Sequence, residues 1–478
     1  MAIRVLSVFE LYRRPGRDFS FVERGIFPRM VASSPGSKNV QHFLPILITS
    51  LVFLSPLFLS SLSAQDLGDT RIGLVVDEGR LRANRIRKIE GKHLSLFTDL
   101  PTSPEVDELA SVFDEAVADW ADYYSVADVS GFHATGFLID DLNRFRRSGV
   151  LPNGLPDFKN GYTYGLKSFW MYDQPSSYMR RQLMIHEGTH AFLFSHLGEQ
   201  IPSWYNEGMA EWFASHRWID GKLETRVTIR NREEAPYWGR TRKIRDELAE
   251  GKGLRIAEIR NLPSRSFLNV EPYAWVWAMA SFLDSHPDYQ TGFRELAPAI
   301  ASGKLDASFE KTFGAKRQQM SEEWSAYLSD LDYNVRPSVT RIDHQVAPSK
   351  RNVLRVIACN RSWQNSGIEV TAGKSYWIRS RGRYVIRESL VEKKKTAWPC
   401  EPNGLTLEYY RGRPLGQLVA VIKPSGGVID FERQVGVGLS RKLEVAQTGT
   451  LYFRVNESPG QLSDNSGTLL ISVVDDPK

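Results

Sequence analysis

The sequence predicts an α+β domain followed by an all-β sandwich. Between residues 68 and 335, strand-like segments and one helix come first and a run of helices follows, an order typical of α+β domains. From Val339 onward, short β-rich runs alternate with Gly, Asn and Pro turns, and no helical spacing is sustained. A chain of 478 residues is long enough for two or three cores. We therefore place the boundary near residues 336–350 and the sandwich at residues 345–478.

Apolar spacing assigns the elements of the first domain. Residues 103–124 place Leu109, Phe113 and Val117 on one helical face, whereas residues 162–172 form an aromatic-rich, strand-like run. The predicted strands are 92–100, 135–139 and 162–172, and the predicted helices are 103–124, 176–197, 203–216, 240–250, 273–285 and 321–331. Residues 65–91 are left open as a pro-segment, a linker or a first strand.

An uncharged segment from Phe43 to Leu62 ends in small residues, which predicts a signal peptide over residues 1–64 with cleavage near Ala64. Met30 would give a signal of ordinary length, so residues 1–29 stay open as a misassigned start. The alternative is an uncleaved anchor, because about 20 apolar residues can span a bilayer. A membrane is a partner only in that case. Both interpretations export the rest of the chain, to the periplasm, the cell surface or the medium.

The charge distribution argues against a nucleic-acid partner. The formal net charge is +5, but residues 1–64 hold seven Lys or Arg and three acids, which leaves only +1 for the remainder. Phosphate binding needs clustered Lys and Arg, and a near-neutral body lacks that excess. Hydrophobic residues at 42% and charged residues at 24% are ordinary for a folded, soluble protein.

Only two cysteines occur, Cys359 and Cys400, and both lie in the predicted sandwich. An exported compartment permits a disulfide, but two buried thiols fit the sequence as well. Two cysteines are too few for a cysteine-based zinc site.

The segment His186-Glu187-Gly188-Thr189-His190 forms an H-E-x-x-H pattern inside an apolar helical frame. One helical turn separates the two histidines, so both imidazoles leave the same face and can reach one cation. Glu187 lies beside them, where it can take a proton from metal-bound water. A chance match is expected in roughly one of 100 such sequences, so a third ligand must decide.

Two residues compete for that third position. His196 would point about 240° around the helix from His190, and we interpret it as a structural or surface histidine. Glu207 opens the next helix after a turn at Gly198–Pro202, and such a turn folds the second helix back across the first. We therefore favour Glu207.

The segments HEGTH and WYNEGMAEW together resemble the thermolysin-like gluzincin superfamily of zinc metallopeptidases. The resemblance implies a zincin-like fold and zinc, with His186, His190 and Glu207 as ligands and Glu187 as base. It further implies that Glu211, one turn after Glu207, holds a ligand histidine from outside. Members usually add a Tyr or His from a later helix as proton donor, and Tyr273 is our candidate for that role.

These expectations describe an exported zinc peptidase, most simply an endopeptidase, that hydrolyses peptides or proteins by Glu-assisted attack of zinc-bound water. We also expect the aromatic run 162–172 to act as an edge strand that pairs with an extended substrate. A plain core strand is the alternative for that run. The substrate, the cleavage preference and the oligomeric state are not encoded in any recognisable pattern.

Residues 352–474 resemble the calcium-dependent, galactose-binding bacterial lectin sandwich, through WQNSGI with VTAG and through LYFRVNE with DNSG. The resemblance implies calcium held by Glu457, Asp464 and Asn465, and a glycan as possible partner. Oxygen-rich loops suit a hard cation. The alternative is that only the sandwich scaffold persists and that the loop holds no calcium. For the whole chain, the competing hypothesis is a non-catalytic or glycan-binding surface protein that retains a metallopeptidase scaffold.

Overall fold

The structure is a computed structural model that describes residues 74–349, 354–391 and 394–476, except 153, 154, 156, 157 and 159. The predicted signal peptide and the alternative start at Met30 lie outside the described residues. No helix in the described part of the chain combines the length and apolar character needed to cross a membrane. Helices and sheets are mixed in the first part and β-strands dominate the last, as the sequence predicts.

The helices are α1 Glu78–Ala83, α2 Pro104–Asp107, α3 Leu109–Tyr124, α4 Leu142–Ser148, α5 Ser177–His196, α6 Ser203–Phe213, α7 Arg240–Ala249, α8 Ile256–Arg260, α9 Glu271–Ser285, α10 Gln290–Arg294, α11 Leu305–Phe313 and α12 Arg317–Asp330. The strands of the first part are β1 Arg87–Glu90, β2 Leu94–Thr98, β3 Ala134–Ile139, β4 Gly161–Tyr164, β5 Ser168–Tyr172, β6 Arg217–Ile219 and β7 Lys222–Glu224. Those of the last part are β8 Leu354–Ala358, β9 Gln364–Val370, β10 Ser375–Arg381, β11 Tyr384–Val391, β12 Lys394–Cys400, β13 Leu405–Tyr410, β14 Arg413–Leu415, β15 Leu418–Pro424, β16 Val435–Gly436, β17 Ser440–Glu444, β18 Gly449–Val455 and β19 Thr468–Asp475.

A five-stranded sheet with the order β1-β2-β3-β5-β4 organises the first part. Strands β2, β3 and β5 run parallel, and β1 and β4 are antiparallel at the two edges. The helices α3 and α5 cover one face, where Phe113, Phe169 and Leu183 share a core. Apolar residues of α1 and α4 cover the other face, against Phe137 and Trp170.

One strand assignment is wrong. Residues 162–172 do not form a single strand, because they fold into the β4–β5 hairpin, with Gly165 at φ +65 in the connecting turn. Aromatic residues on both arms conceal this turn in the sequence. The inner arm β5 lies between β3 and β4, so any substrate pairing at this edge would involve β4. The helix predicted at 103–124 also differs, since it divides into α2 and α3.

The last part is a sandwich of two antiparallel four-stranded sheets, β17-β10-β19-β8 and β16-β15-β18-β9. Ile378, Phe453 and Ile471 contribute to its core. Cys359 and Cys400 are free thiols buried in that core, so the alternative without a disulfide describes this structure. Burial raises the pKa of the Cys359 thiol to about 12.

The sandwich packs directly on the last helix of the first part. Strand β15 is buried on both faces: Leu418 and Ala420 face the sandwich core, while Val419 and Val421 contact the group that includes Ala326 of α12. This continuous apolar run is typical of a strand covered on both sides. The two parts therefore share an interface and are not joined by a linker alone.

A buried ion pair crosses the same interface. Nη1 of Arg454 on β18 donates to both carboxylate oxygens of Asp330 at the end of α12, each at 2.7 Å. Ser362 also donates to Asp330, at 2.9 Å. Since Arg454 and Asp330 are almost fully buried, each charge depends on the other part of the chain for its partner.

Candidate metal centre

The helices α5 and α6 bring the three predicted ligands together. His186 and His190 leave the same face of α5, one turn apart, and both are fully buried. The chain turns at Gly198, which has φ +109, and α6 then carries Glu207 back across α5. The Nε2 atoms of the two histidines are 3.2 Å apart. Oε2 of Glu207 lies 3.5 Å from each of them.

These distances match the spacing of ligands around one tetrahedral zinc. Metal–ligand bonds of about 2.0–2.1 Å place neighbouring ligand atoms roughly 3.3 Å apart. Oε2 of Glu207 is also buried without a hydrogen-bond partner, and a cation would satisfy it. Two imidazole nitrogens and one carboxylate oxygen form a donor set that zinc accepts. By geometry and chemistry the residues fit the ion that the sequence predicts.

The electrostatics of the metal-free centre favour a positive charge. Burial by itself lowers the pKa of His186, but Glu207, Glu211 and Glu187 raise it to about 10. Burial alone would raise the pKa of Glu207. The two histidines lower it by more, so its pKa lies below the ordinary value. A metal that binds His186 therefore competes with a proton for the imidazole.

Both histidines are held from outside the centre. Nδ1 of His186 lies 3.3 Å from Oε1 of Glu211, an ion-pair distance without hydrogen-bond geometry, where the sequence predicts an outer carboxylate. Nδ1 of His190 lies 3.0 Å from Oδ1 of Asn206. Such contacts set the tautomer that leaves Nε2 free to bind a metal. Asn206 was not predicted as a partner of His190, although it directly precedes Glu207 in the sequence.

Arg240 was also missed. It opens α7 and donates to both oxygens of Glu211, from Nε at 2.9 Å and from Nη2 at 2.7 Å. Burial raises the pKa of Glu211, but Arg240 and His186 lower it to about 2. Glu211 is therefore ionised, and it faces His186 as an acceptor. No local pattern marks Arg240, because 28 residues separate it from Glu211.

Glu187 is fully buried against the edge strand β4. The hydroxyl of Thr163 lies 2.7 Å from Oε2 of Glu187 and 3.0 Å from its backbone oxygen. A Cβ atom on Gly161 would come within 2.4 Å of Oε1. A side chain at 161 would therefore force the carboxylate or the strand to shift.

Tyr273 lies beside the centre, but its hydroxyl is engaged elsewhere. Its ring centroid is 6.0 Å from that of His186, and its hydroxyl donates to the backbone oxygen of Phe267 at 3.1 Å. Burial raises the pKa of this hydroxyl well above its ordinary value. The proton-donor role of Tyr273 stays a prediction. His196 stacks on Phe192, away from the centre, as a structural histidine would.

A second group of possible ligands, His286, Asp288 and Glu323, lies within reach of one ion. However, Nδ1 of His286 accepts the backbone N–H of Asp288 at 3.3 Å. In a neutral ring this places the proton on Nε2, the atom that faces Glu323 at 3.7 Å. A metal at Nε2 would have to displace this proton, so we describe the group as a histidine–carboxylate contact.

In the sandwich, two of the three predicted calcium ligands are in contact. Asn465 donates to Oε2 of Glu457 at 2.6 Å and to the backbone oxygen of Cys359 at 3.0 Å. Oε1 of Glu457 and Oδ1 of Asn465 are buried without partners. Asp464 instead accepts the backbone N–H of Glu388 at 3.2 Å. Burial raises the pKa of Glu457 to about 7, against the opposing hydrogen bond from Asn465.

Residues 182–297 match a family model, DUF1570, described as a protein of unknown function. This segment is less than half of the chain, but it contains every residue of the candidate centre from His186 to Tyr273. No curated protein matches the sequence. A solved structure described as an EclA N-terminal domain and PllA-like lectin is similar at 20% identity, over 26% of this chain and 95% of that one, with a TM-score of 0.20. At this TM-score the likeness carries no argument about ligands.

Proposed function

We propose that the first part of the chain is a zinc-dependent peptidase with a zincin-like fold, in which His186, His190 and Glu207 hold the metal. The observation that carries the proposal is the triangle of ligand atoms, with sides of 3.2 and 3.5 Å and an unpartnered Glu207 oxygen. When bound, zinc supplies a Lewis acid that acidifies water and polarises a carbonyl.

The protein's own residues supply the remaining chemistry. Glu187 accepts the proton of the attacking water and can return it to the leaving amine. Glu211 and Asn206 hold the two histidines in the tautomer that binds metal. An extended peptide that pairs with β4 would lie next to Glu187, because Thr163 of that strand contacts its carboxylate.

The test is hydrolysis of a mixed peptide library by residues 65–478 and by the Glu187→Gln variant, with zinc measured in both. We expect about one zinc per chain in each protein and cleavage by the wild type alone. If both bind zinc and neither cleaves, the non-catalytic scaffold is the better description. If neither binds zinc, the proposal is wrong.

A second candidate function concerns the sandwich. The unpartnered oxygens of Glu457 and Asn465 favour a hard cation such as calcium, through which the module would contact a glycan. Calcium titration of the wild type and of Glu457→Gln tests the ion, and a glycan array with and without calcium tests the partner. Equal calcium binding by both proteins would exclude this site.

A further inference from the structure

The hydroxyl of Thr163 and the carboxylate of Glu187 form a close contact between the edge strand and the metal-binding helix. Their oxygen atoms are 2.7 Å apart, and both side chains are buried. The register of β4 on β5, with Thr163 opposite Phe169, fixes the height of the hydroxyl. Gly161, two residues earlier, lets the strand approach the same carboxylate. Gly161 and Thr163, both on β4, thus lie against the carboxylate of Glu187.

The contact restricts the conformation of a flexible side chain. A glutamate turns about three bonds, and a general base is efficient only within hydrogen-bond reach of the proton that it accepts. A hydroxyl that donates to a carboxylate forms a short, charge-assisted bond, stronger than a bond between neutral groups. Threonine is stiff at its first side-chain torsion, so its hydroxyl has few alternative positions.

On this basis we propose that Thr163 is a positioning residue for Glu187. The inference rests on the proposed function, because it assigns to Thr163 the orientation of the base in that reaction. Strand β4, which would pair with the substrate, then also aligns the carboxylate of Glu187. The substrate and the base are therefore both positioned by the backbone of β4.

The test compares Thr163→Val, which keeps the shape and removes the hydroxyl, with Thr163→Ser, which keeps the hydroxyl. The matched control is Thr340→Val, which removes a buried hydroxyl outside the metal-binding segment that bonds to the backbone oxygen of Pro337. For Thr163→Val we expect kcat to fall about 10–100-fold, a part of what a general base contributes, with KM within about twofold. Thr163→Ser should restore most of kcat, and zinc content should stay the same throughout.

A second readout does not require a cleaved substrate. Acetohydroxamate binds a metal through two oxygens and has a proton that a nearby carboxylate can accept, so its affinity reports the position of Glu187. We expect weaker binding to cobalt-substituted Thr163→Val and Glu187→Gln than to the wild type and to Thr340→Val.

The possible failures are distinguishable. An active wild type whose Thr163→Val variant keeps kcat, or loses no more than Thr340→Val, overturns the role of Thr163 and leaves the peptidase proposal intact. If the wild type cleaves nothing, equal acetohydroxamate affinity for the wild type and Thr163→Val overturns the positioning role of Thr163. A wild type that binds no metal overturns both proposals.

Discussion

Arg240 forms a two-point ion pair with Glu211, whose carboxylate lies 3.3 Å from His186. The three side chains form a row from α7 through α6 to α5, and all three are buried. The guanidinium keeps Glu211 ionised, and the ionised carboxylate faces Nδ1 of His186. The candidate centre is therefore supported by three helices, of which the H-E-x-x-H pattern specifies one.

Replacing Arg240 by Met should weaken metal binding and destabilise the fold. Glu211 would keep a buried charge without its guanidinium, a change that costs about 3–5 kcal/mol of unfolding free energy. Loss of outer support typically costs 10–100-fold in metal affinity. Zinc competition with a chelator and urea unfolding measure the two effects. Arg242→Met, on the exposed side of the same helix, is the control and should change neither.

Zinc affinity should rise with pH. In the metal-free protein the pKa of His186 is about 10, so zinc must displace one proton at any lower pH. The apparent association constant should then increase about tenfold per pH unit between pH 7 and 9. Calorimetry in buffers of different ionisation enthalpy counts the proton that is released. A zinc affinity that does not change between pH 7 and 9 would contradict the assignment of His186 as a zinc ligand.

The sandwich should lose stability as the pH rises from about 4.5 through about 7. The folded-state pKa of Glu457 is about 7, above its ordinary value of 4.5. The protonated carboxyl therefore contributes stability that is fully present below pH 4.5 and is lost as the pH rises through 7. Thermal unfolding of Glu457→Gln should show less of this loss. Glu401→Gln, at an exposed position, serves as the control.

Calcium should reverse that loss if the predicted site exists. At pH 8 the ionised Glu457 gains a partner, so calcium should raise the melting temperature of the wild type and leave Glu457→Gln unchanged. The same melting temperature for the wild type with and without calcium would favour the scaffold-only alternative.

Breaking the Arg454–Asp330 pair should destabilise both parts of the chain together. Arg454→Met leaves Asp330 buried with Ser362 as a remaining donor, which costs about 3–5 kcal/mol. Because α12 packs against the sandwich through a shared apolar group, we expect one cooperative transition at a lower denaturant midpoint. Two separate transitions in the wild type would contradict this coupling. Arg433→Met, exposed on the same module, is the control.

Gly161→Ala should lower activity without releasing zinc. The added Cβ would approach Oε1 of Glu187 to 2.4 Å, so the carboxylate or the strand must move. Gly131→Ala meets nothing within 4 Å and should behave as the wild type. Peptide hydrolysis and bound zinc, measured on both variants, separate a displaced base from a lost metal.

Much of the local structure was predictable from the sequence. The helix predicted at 176–197 is α5, at Ser177–His196, and the one predicted to open near Ser203 is α6. The β-rich texture after Val339 corresponds to the two-sheet sandwich. The β4–β5 hairpin was missed because aromatic residues continue across its turn, and α2 was missed because its apolar residue shares the face of α3.

The sequence by itself determined which atoms share one helical face. His186 and His190 are one turn apart, and Glu207 and Glu211 repeat that spacing on the next helix. That the two pairs share one centre was implied by the resemblance and not by this spacing. Only the tertiary structure decided what surrounds them. Arg240, Thr163 and the Arg454–Asp330 pair act across 24 to 124 residues of chain. The physical reason is that helical spacing is fixed by the backbone, whereas contacts between elements depend on how whole faces pack.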